Sequence, residues 1–277
     1  MKSIGVIDYY LNEWHALNYP EMLKRVQQNS NEEEARIAFA YAETDLNGYT
    51  TDDYCKQFGV TKCSSIKEVC EKSDYLMVLY PDRPERKIDA CLEVLKYGKP
   101  VFIDKTFVKD FAQAKKVFEV AEKYHTPMFS SSSLRYADEI KELPEVNSLL
   151  ILAPALHLKD YWVHPLEMLV AKMGVGAKKV MLTKSGNHYS LHVEYDNKSA
   201  LVIIHDDGPH DQYYIGGSGR MGQTLKMIQS PFFDNEMKDI LRFYKEKVAS
   251  FPKEETLELM KIRDAALLEK FDEWISL

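Results

Sequence analysis

No stretch of this sequence approaches the roughly 20 consecutive apolar residues that a membrane-spanning helix needs. Its longest apolar runs are residues 149–156 and 75–80. Residues 1–8 lack the basic region, long apolar core and small-residue cleavage site of a secretory leader, so a cytoplasmic location is expected. Positive charge is not in excess either: 36 Lys and Arg stand against 43 Asp and Glu, a net charge of −7. That balance argues against a broad surface for nucleic acid or anionic membrane. Cysteine is scarce. Cys55, Cys63, Cys70 and Cys91 fit neither C-x-x-C nor a zinc knuckle, and buried reduced thiols are expected. Among His157, His188, His192, His205 and His210 no pair has the spacing of a metal site on one element, so no metal is expected.

What is present is the make-up of an ordinary globular protein, 45% hydrophobic and 29% charged over 277 residues. A chain of this length exceeds one comfortable core and suits two. In the first half, β-rich apolar runs at residues 3–7, 36–42, 75–79, 100–103 and 127–129 alternate with amphipathic stretches at 21–27, 66–71, 85–97 and 110–124. Short continuous apolar strands separated by helices predict a parallel sheet covered on both faces, a doubly wound α/β domain over residues 1–133. Ligands of such sheets bind beyond the carboxyl ends of the strands, so Asp8, Glu43, Tyr80 and Lys105 are expected on one rim.

Beyond residue 134 the pattern changes. A helix is predicted at 134–141, a strand at 148–153, and a helix opened by Pro165. Strands at 178–184, 189–195 and 200–205 follow without room for crossover helices, with Asp196-Asn197 as a hairpin turn. A strand at 224–229 and helices at 235–249 and 253–274 close the chain. The expected second domain, 134–277, is an antiparallel sheet with helices on one face. The apolar run at 200–205 implies that its other face carries apolar surface too, from which a homo-oligomer through this sheet is expected.

Two segments could carry chemistry. Lys105 ends the run from Lys99 to Phe107 at the ligand rim, where a lysine can share a proton with a substrate hydroxyl; an exposed loop lysine fits the same position. His164 stands just before a helix with Asp160 four residues earlier. Imidazole at the mouth of a helix suits a general base, because the positive end of the dipole disfavours the imidazolium. A helix cap beside a buried Trp162 fits that histidine equally well.

Taken in order, Gly98-Lys99-Pro100, Asp104-Lys105-Thr106, Arg135 and Asp160-x-x-x-His164-x-x-Glu167 resemble the glucose–fructose oxidoreductase and inositol dehydrogenase family, Gfo/Idh/MocA. The resemblance spans nearly the whole chain, including Phe251-Pro252 between the closing helices. It implies an N-terminal Rossmann-like domain and hydride transfer between NAD or NADP and a polyol, sugar or related hydroxyl compound. In that reading Lys105 orients the substrate hydroxyl, His164 is the acid/base and Asp160 positions substrate, the three sharing one cleft. Asp8, Tyr10, Glu43, Tyr80, Arg83 and Lys105 would meet the cofactor, with Glu43 on the adenosine ribose.

Three features depart from the family pattern. Its G-x-G-x-x-G loop is replaced by Asp8-Tyr-Tyr-Leu-Asn-Glu13, in which acids and tyrosines stand where glycines let a diphosphate approach the backbone. Thr106 replaces a proline, and few residues separate Ser148 from Asp160. Weak dinucleotide binding is expected from the first. A second reading therefore stands beside the oxidoreductase, a catalytically silent relative that binds a metabolite or protein partner as a sensor or accessory subunit.

Overall fold

The computed structural model describes residues 1–28, 34–80, 84–155, 158–206 and 212–277; the side chains of Pro84, Lys159 and Asp160 are outside that description. It divides into two compact units, Met1–Ser131 with Glu236–Phe251, and Ser132–Asn235 with Pro252–Leu277. Among the described residues no helix is long and apolar enough to cross a membrane.

The first unit is built on β1 (Lys2–Asp8), β2 (Ala35–Ala42), β3 (Thr61–Lys62), β4 (Tyr75–Val78), β5 (Val101–Asp104) and β6 (Met128–Ser131). They form one sheet in the order β3-β2-β1-β4-β5-β6, parallel at every pairing. This is the doubly wound domain expected from the apolar runs. Its helices are α1 (Trp14–Gln27), α2 (Thr51–Phe58), α3 (Ile66–Lys72), α4 (Pro84–Val94) and α5 (Phe111–Lys123). Strands β1, β4 and β5 are buried almost throughout, which explains why their sequences run apolar without alternation. Gly5 is there for close packing: a Cβ on it would lie 2.3 Å from both Val69 Cγ1 and Ser73 Oγ, so only glycine lets α3 approach β1. All four cysteines are free and buried, as expected.

The first break between the units falls between Ser131 and Ser132, and the tail is divided between them. Helix α9 (Phe232–Glu246) belongs from Glu236 onward to the first unit, because its apolar face packs there. The Tyr244 ring stacks on Tyr75 at 4.6 Å, the Tyr244 hydroxyl donates to the Leu76 carbonyl at 2.9 Å, and Phe243 meets Phe129 edge-on at 4.8 Å.

The second unit contains α6 (Asp138–Glu142), β7 (Ser148–Pro154), α7 (Leu158–Tyr161), α8 (Val163–Met173), β8 (Lys179–Ser185), β9 (His188–Glu194), β10 (Ser199–His205), β11 (Tyr214–Gly219), β12 (Gly222–Met227), α10 (Lys253–Leu267) and β13 (Trp274–Ser276). The strand order is β12-β11-β7-β10-β9-β8-β13. The antiparallel run β8-β9-β10 is as expected, and the Tyr195 N–H donates to the Lys198 carbonyl across Asp196-Asn197. The sheet is mixed, because β10 pairs with β7 in parallel. Helices α8 and α10 contact this sheet, burying alternate side chains such as Leu149, Ile151, Val202, Ile204 and Leu191. On the opposite face Leu150 pairs with Leu201 and Leu152 with Ile203, all half-buried.

Candidate functional site

Local sequence places four of the expected rim residues at the carboxyl ends of strands in the first unit. Asp8 ends β1 and is fully buried. One carboxylate oxygen accepts from the Tyr9 N–H at 2.6 Å and the Tyr80 N–H at 2.9 Å, fastening β1 to the chain after β4. The other has no hydrogen-bond partner among the described residues. Burial, and secondarily the nearby Glu13, hold the Asp8 carboxyl well above the usual carboxylate range. The folded chain thus binds a proton there that the unfolded chain releases, and stability falls as pH rises through that window. Asp8→Asn, which keeps the accepting oxygen, should show a flatter dependence of the denaturation midpoint between ~pH 4 and ~pH 8 than the wild type. Equal slopes would place the charge on Asp8 at neutral pH.

Tyr80 has a left-handed backbone, φ 47°, and its hydroxyl donates to Glu43 at 2.9 Å. The second Glu43 oxygen receives Arg86 at 2.5 Å, and the Arg86 guanidinium lies 5.7 Å from the Tyr9 ring centroid. Burial, then the hydrogen bond to Glu43, push the Tyr80 hydroxyl far above its ordinary range. Tyr10 is buried edge-on to Tyr9 at 5.6 Å. Arg83 lies outside the described residues.

Lys105 follows β5 and is half-buried. Its loop is held from behind by Lys87, fully buried on α4, whose ammonium donates to the Asp104 carbonyl at 2.8 Å and the Lys105 carbonyl at 2.9 Å. Burial lowers Lys87 to about 8. Thr106 is buried, with a hydroxyl that has no hydrogen-bond partner among the described residues.

His15, Tyr19, Glu236 and Lys87, which no sequence motif singles out, surround this rim. Glu13 caps α1: its carboxylate accepts from the backbone N–H of Ala16 and, at 2.8 Å, from that of His15. The His15 ring nitrogen Nδ1 lies 3.0 Å from Glu13 and 3.7 Å from Asp104. Tyr19 donates to Asp104 at 3.3 Å or Glu236 at 3.4 Å, and Ser131 donates to Glu236 at 3.2 Å. Residues so far apart in sequence carry no local signal of this cluster; glutamate as an N-cap is also outside the usual Ser, Thr, Asp, Asn set.

In the second unit His164 is the second residue of α8, with Nδ1 2.7 Å from the Ser132 hydroxyl and its ring edge-on to Tyr161 at 5.2 Å. The Ser132 N–H donates to Glu167 at 3.2 Å, and Arg135 donates to Glu167 and to Glu255, each at 2.7 Å. His164, Ser132, Glu167, Arg135 and Glu255 therefore form one hydrogen-bonded chain. Burial pushes the Glu167 carboxyl up, with Arg135 opposing it. Asp160 lies in α7, and its side chain is outside the described part. Among the described residues no group of His, Cys, Asp or Glu is arranged to hold a metal.

The chain is similar to known proteins in sequence over part of its length and in fold over all of it. Residues 13–132 match the family model of the Gfo/Idh/MocA oxidoreductase family, NAD-binding Rossmann fold. A probable dehydrogenase from Thermotoga maritima is similar over 99% of this chain and 98% of its own, at TM-score 0.76 and 15% identity. A putative myo-inositol dehydrogenase from Sinorhizobium meliloti matches over 100% and 99%, at TM-score 0.70 and 12% identity. GenD2 from gentamicin A biosynthesis, in complex with NAD, matches over 100% and 97%, at TM-score 0.75 and 10% identity. No curated protein sequence matches. Residues 13–132 thus resemble the NAD-binding Rossmann domain of the Gfo/Idh/MocA family, and the whole chain shares the fold of these solved structures.

The fit of a dinucleotide rests on the start of α1. The N–H groups there already hold an anion, the Glu13 carboxylate, so the donor set suits a phosphate group. Glu43, just beyond β2, has both its oxygens engaged by Tyr80 and Arg86.

Proposed function

We propose that this chain is a nicotinamide-dependent oxidoreductase acting on a sugar-like or cyclitol-like hydroxyl compound. The observation that supports it most is the anchored Lys105 at the carboxyl end of β5, inside the segment that matches an NAD-binding oxidoreductase family. Bound NAD or NADP would supply hydride exchange; the chain's own part is proton handling and orientation. Lys105 orients the substrate hydroxyl by hydrogen-bonding its oxygen and eases the movement of its proton to His164. His164 is the acid/base, its ring oriented by the 2.7 Å contact between Nδ1 and the Ser132 hydroxyl. Asp160 positions substrate, as the resemblance implies.

The reading is tested by incubating the purified protein with NAD or NADP and a panel of polyols and sugars. Substrate-dependent formation of the reduced nicotinamide is expected. Its absence across the panel, with both cofactors shown to bind, would favour a silent relative.

We propose also that the protein is a homo-oligomer through the sheet face bearing Leu150, Leu152, Leu201 and Ile203. An apolar sheet face without helices over it is commonly covered by a partner. A monomer by light scattering at micromolar concentration would contradict it.

A further inference from the structure

We propose that Glu13 is a built-in occupant of the phosphate seat at the start of α1, and that a dinucleotide binds the first unit only by displacing it. The inference rests on the dinucleotide reading of this unit. Both oxygens of Glu13 are engaged there, one by the Ala16 N–H and the other by the His15 N–H and imidazole. These N–H groups at the positive end of the helix are the donors that a diphosphate would use. A carboxylate bound through two oxygens presents them with the charge and the acceptors of a phosphate edge. The cap is also unlike the others in its reach. Thr50, Ser65 and Asp110 cap α2, α3 and α5 through one short side chain to a single N–H, whereas Glu13 must fix a longer chain to reach two.

The surroundings oppose any anion that would sit beside Glu13 without replacing it. Asp104 directs an oxygen to within 3.7 Å of the same imidazole, and that oxygen is buried without a hydrogen-bond partner among the described residues. A second negative charge in this poorly solvated place meets the Glu13 and Asp104 carboxyl groups, so binding requires that Glu13 swing out. The loop has no glycine to accommodate both groups at once. Affinity for a dinucleotide is accordingly set by competition within the chain.

Serine at this position separates the two roles, because it is a strong short N-cap that preserves the helix start while clearing the seat and removing the charge. NADH and inorganic pyrophosphate are titrated calorimetrically into the wild type, Glu13→Ser and Glu13→Gln, with circular dichroism confirming that each variant is folded. Glu13→Ser is expected to bind both probes at least tenfold more tightly than the wild type. Glu13→Gln, which retains the bulk and an accepting oxygen, should gain less. A wild type that binds NADH as tightly as Glu13→Ser would overturn the competition while leaving the oxidoreductase reading intact. Tighter pyrophosphate binding by Glu13→Ser without NADH binding would uphold the competition and sink the dinucleotide reading. If neither probe binds more tightly to the folded Glu13→Ser and Glu13→Gln proteins, the proposed seat is wrong.

Discussion

Arg135→Met is expected to destabilise the second unit by about 3–5 kcal/mol, the usual cost of removing one partner from a buried ion pair. Arg135 is nearly inaccessible, its side chain 8% exposed, and it bridges Glu167 and Glu255, which are 4% and 18% exposed. Burial disfavours its charge, and Glu167 and Glu255 together more than offset this, raising the guanidinium above its ordinary range. Without Arg135 the two carboxylates face each other with no cation between them. Glu167, already raised by burial, would then rise further. A carboxyl raised in the folded state favours folding where it is protonated, so the loss should be larger at ~pH 8 than at ~pH 5. Denaturant midpoints of wild type and variant at both pH values measure this. A loss below about 1 kcal/mol, or one independent of pH, would show that the pair is hydrated and of surface strength.

His164→Ala and Lys105→Met should each lower kcat/KM by about a hundred- to ten-thousand-fold, the range for a positioned acid/base or its partner. The His164 effect should fall on kcat and abolish one limb of the pH–rate profile, because the group acts in proton transfer. Lys105→Met should raise KM as well, since the ammonium also holds the hydroxyl. Ser132→Ala tests orientation: it removes the 2.7 Å contact to Nδ1 and should shift the pH profile with a loss of only about tenfold or less. Turnover undiminished in His164→Ala would remove the histidine from the mechanism. These assays are read alongside folded-state circular dichroism, so that lost activity is not confused with lost structure.

Much of the architecture is legible in local pattern, and the places where it is not share a cause. Strands β1, β4 and β5 stand out because each must be apolar on consecutive residues to lie inside a doubly covered sheet. Helix α1 begins at Trp14, well before the amphipathic stretch at 21–27, and carries Pro20 inside it. Helix α2 is polar and short, and it escapes a search for amphipathic stretches although Thr50 and Asp53 make a capping box. Strands β3 and β13 are brief edge strands, and β11 contains Gly216, Gly217 and Gly219, a composition that ordinarily marks a loop. Trp274 accordingly ends in a strand paired with β8 where the helical pattern predicted a helix. The predicted helix at 134–141 is likewise interrupted by the extended backbone of Ala137.

The sequence by itself determined the alternation of buried strands and helices, the change to an antiparallel pattern after the first domain, and the placing of Asp8, Glu43, Tyr80 and Lys105 at strand ends. These follow from periodicity and chain order, which are local properties. Only the tertiary structure decided that α9 packs on the first unit, that β10 runs parallel to β7, and that Lys87 anchors the Lys105 loop. It alone showed that Glu13 fills the start of α1, and that Ser132, Glu167 and Arg135 stand behind His164. Each of these depends on which distant groups satisfy one another's hydrogen bonds once water is excluded. That pairing is settled by packing, to which no spacing along the chain corresponds.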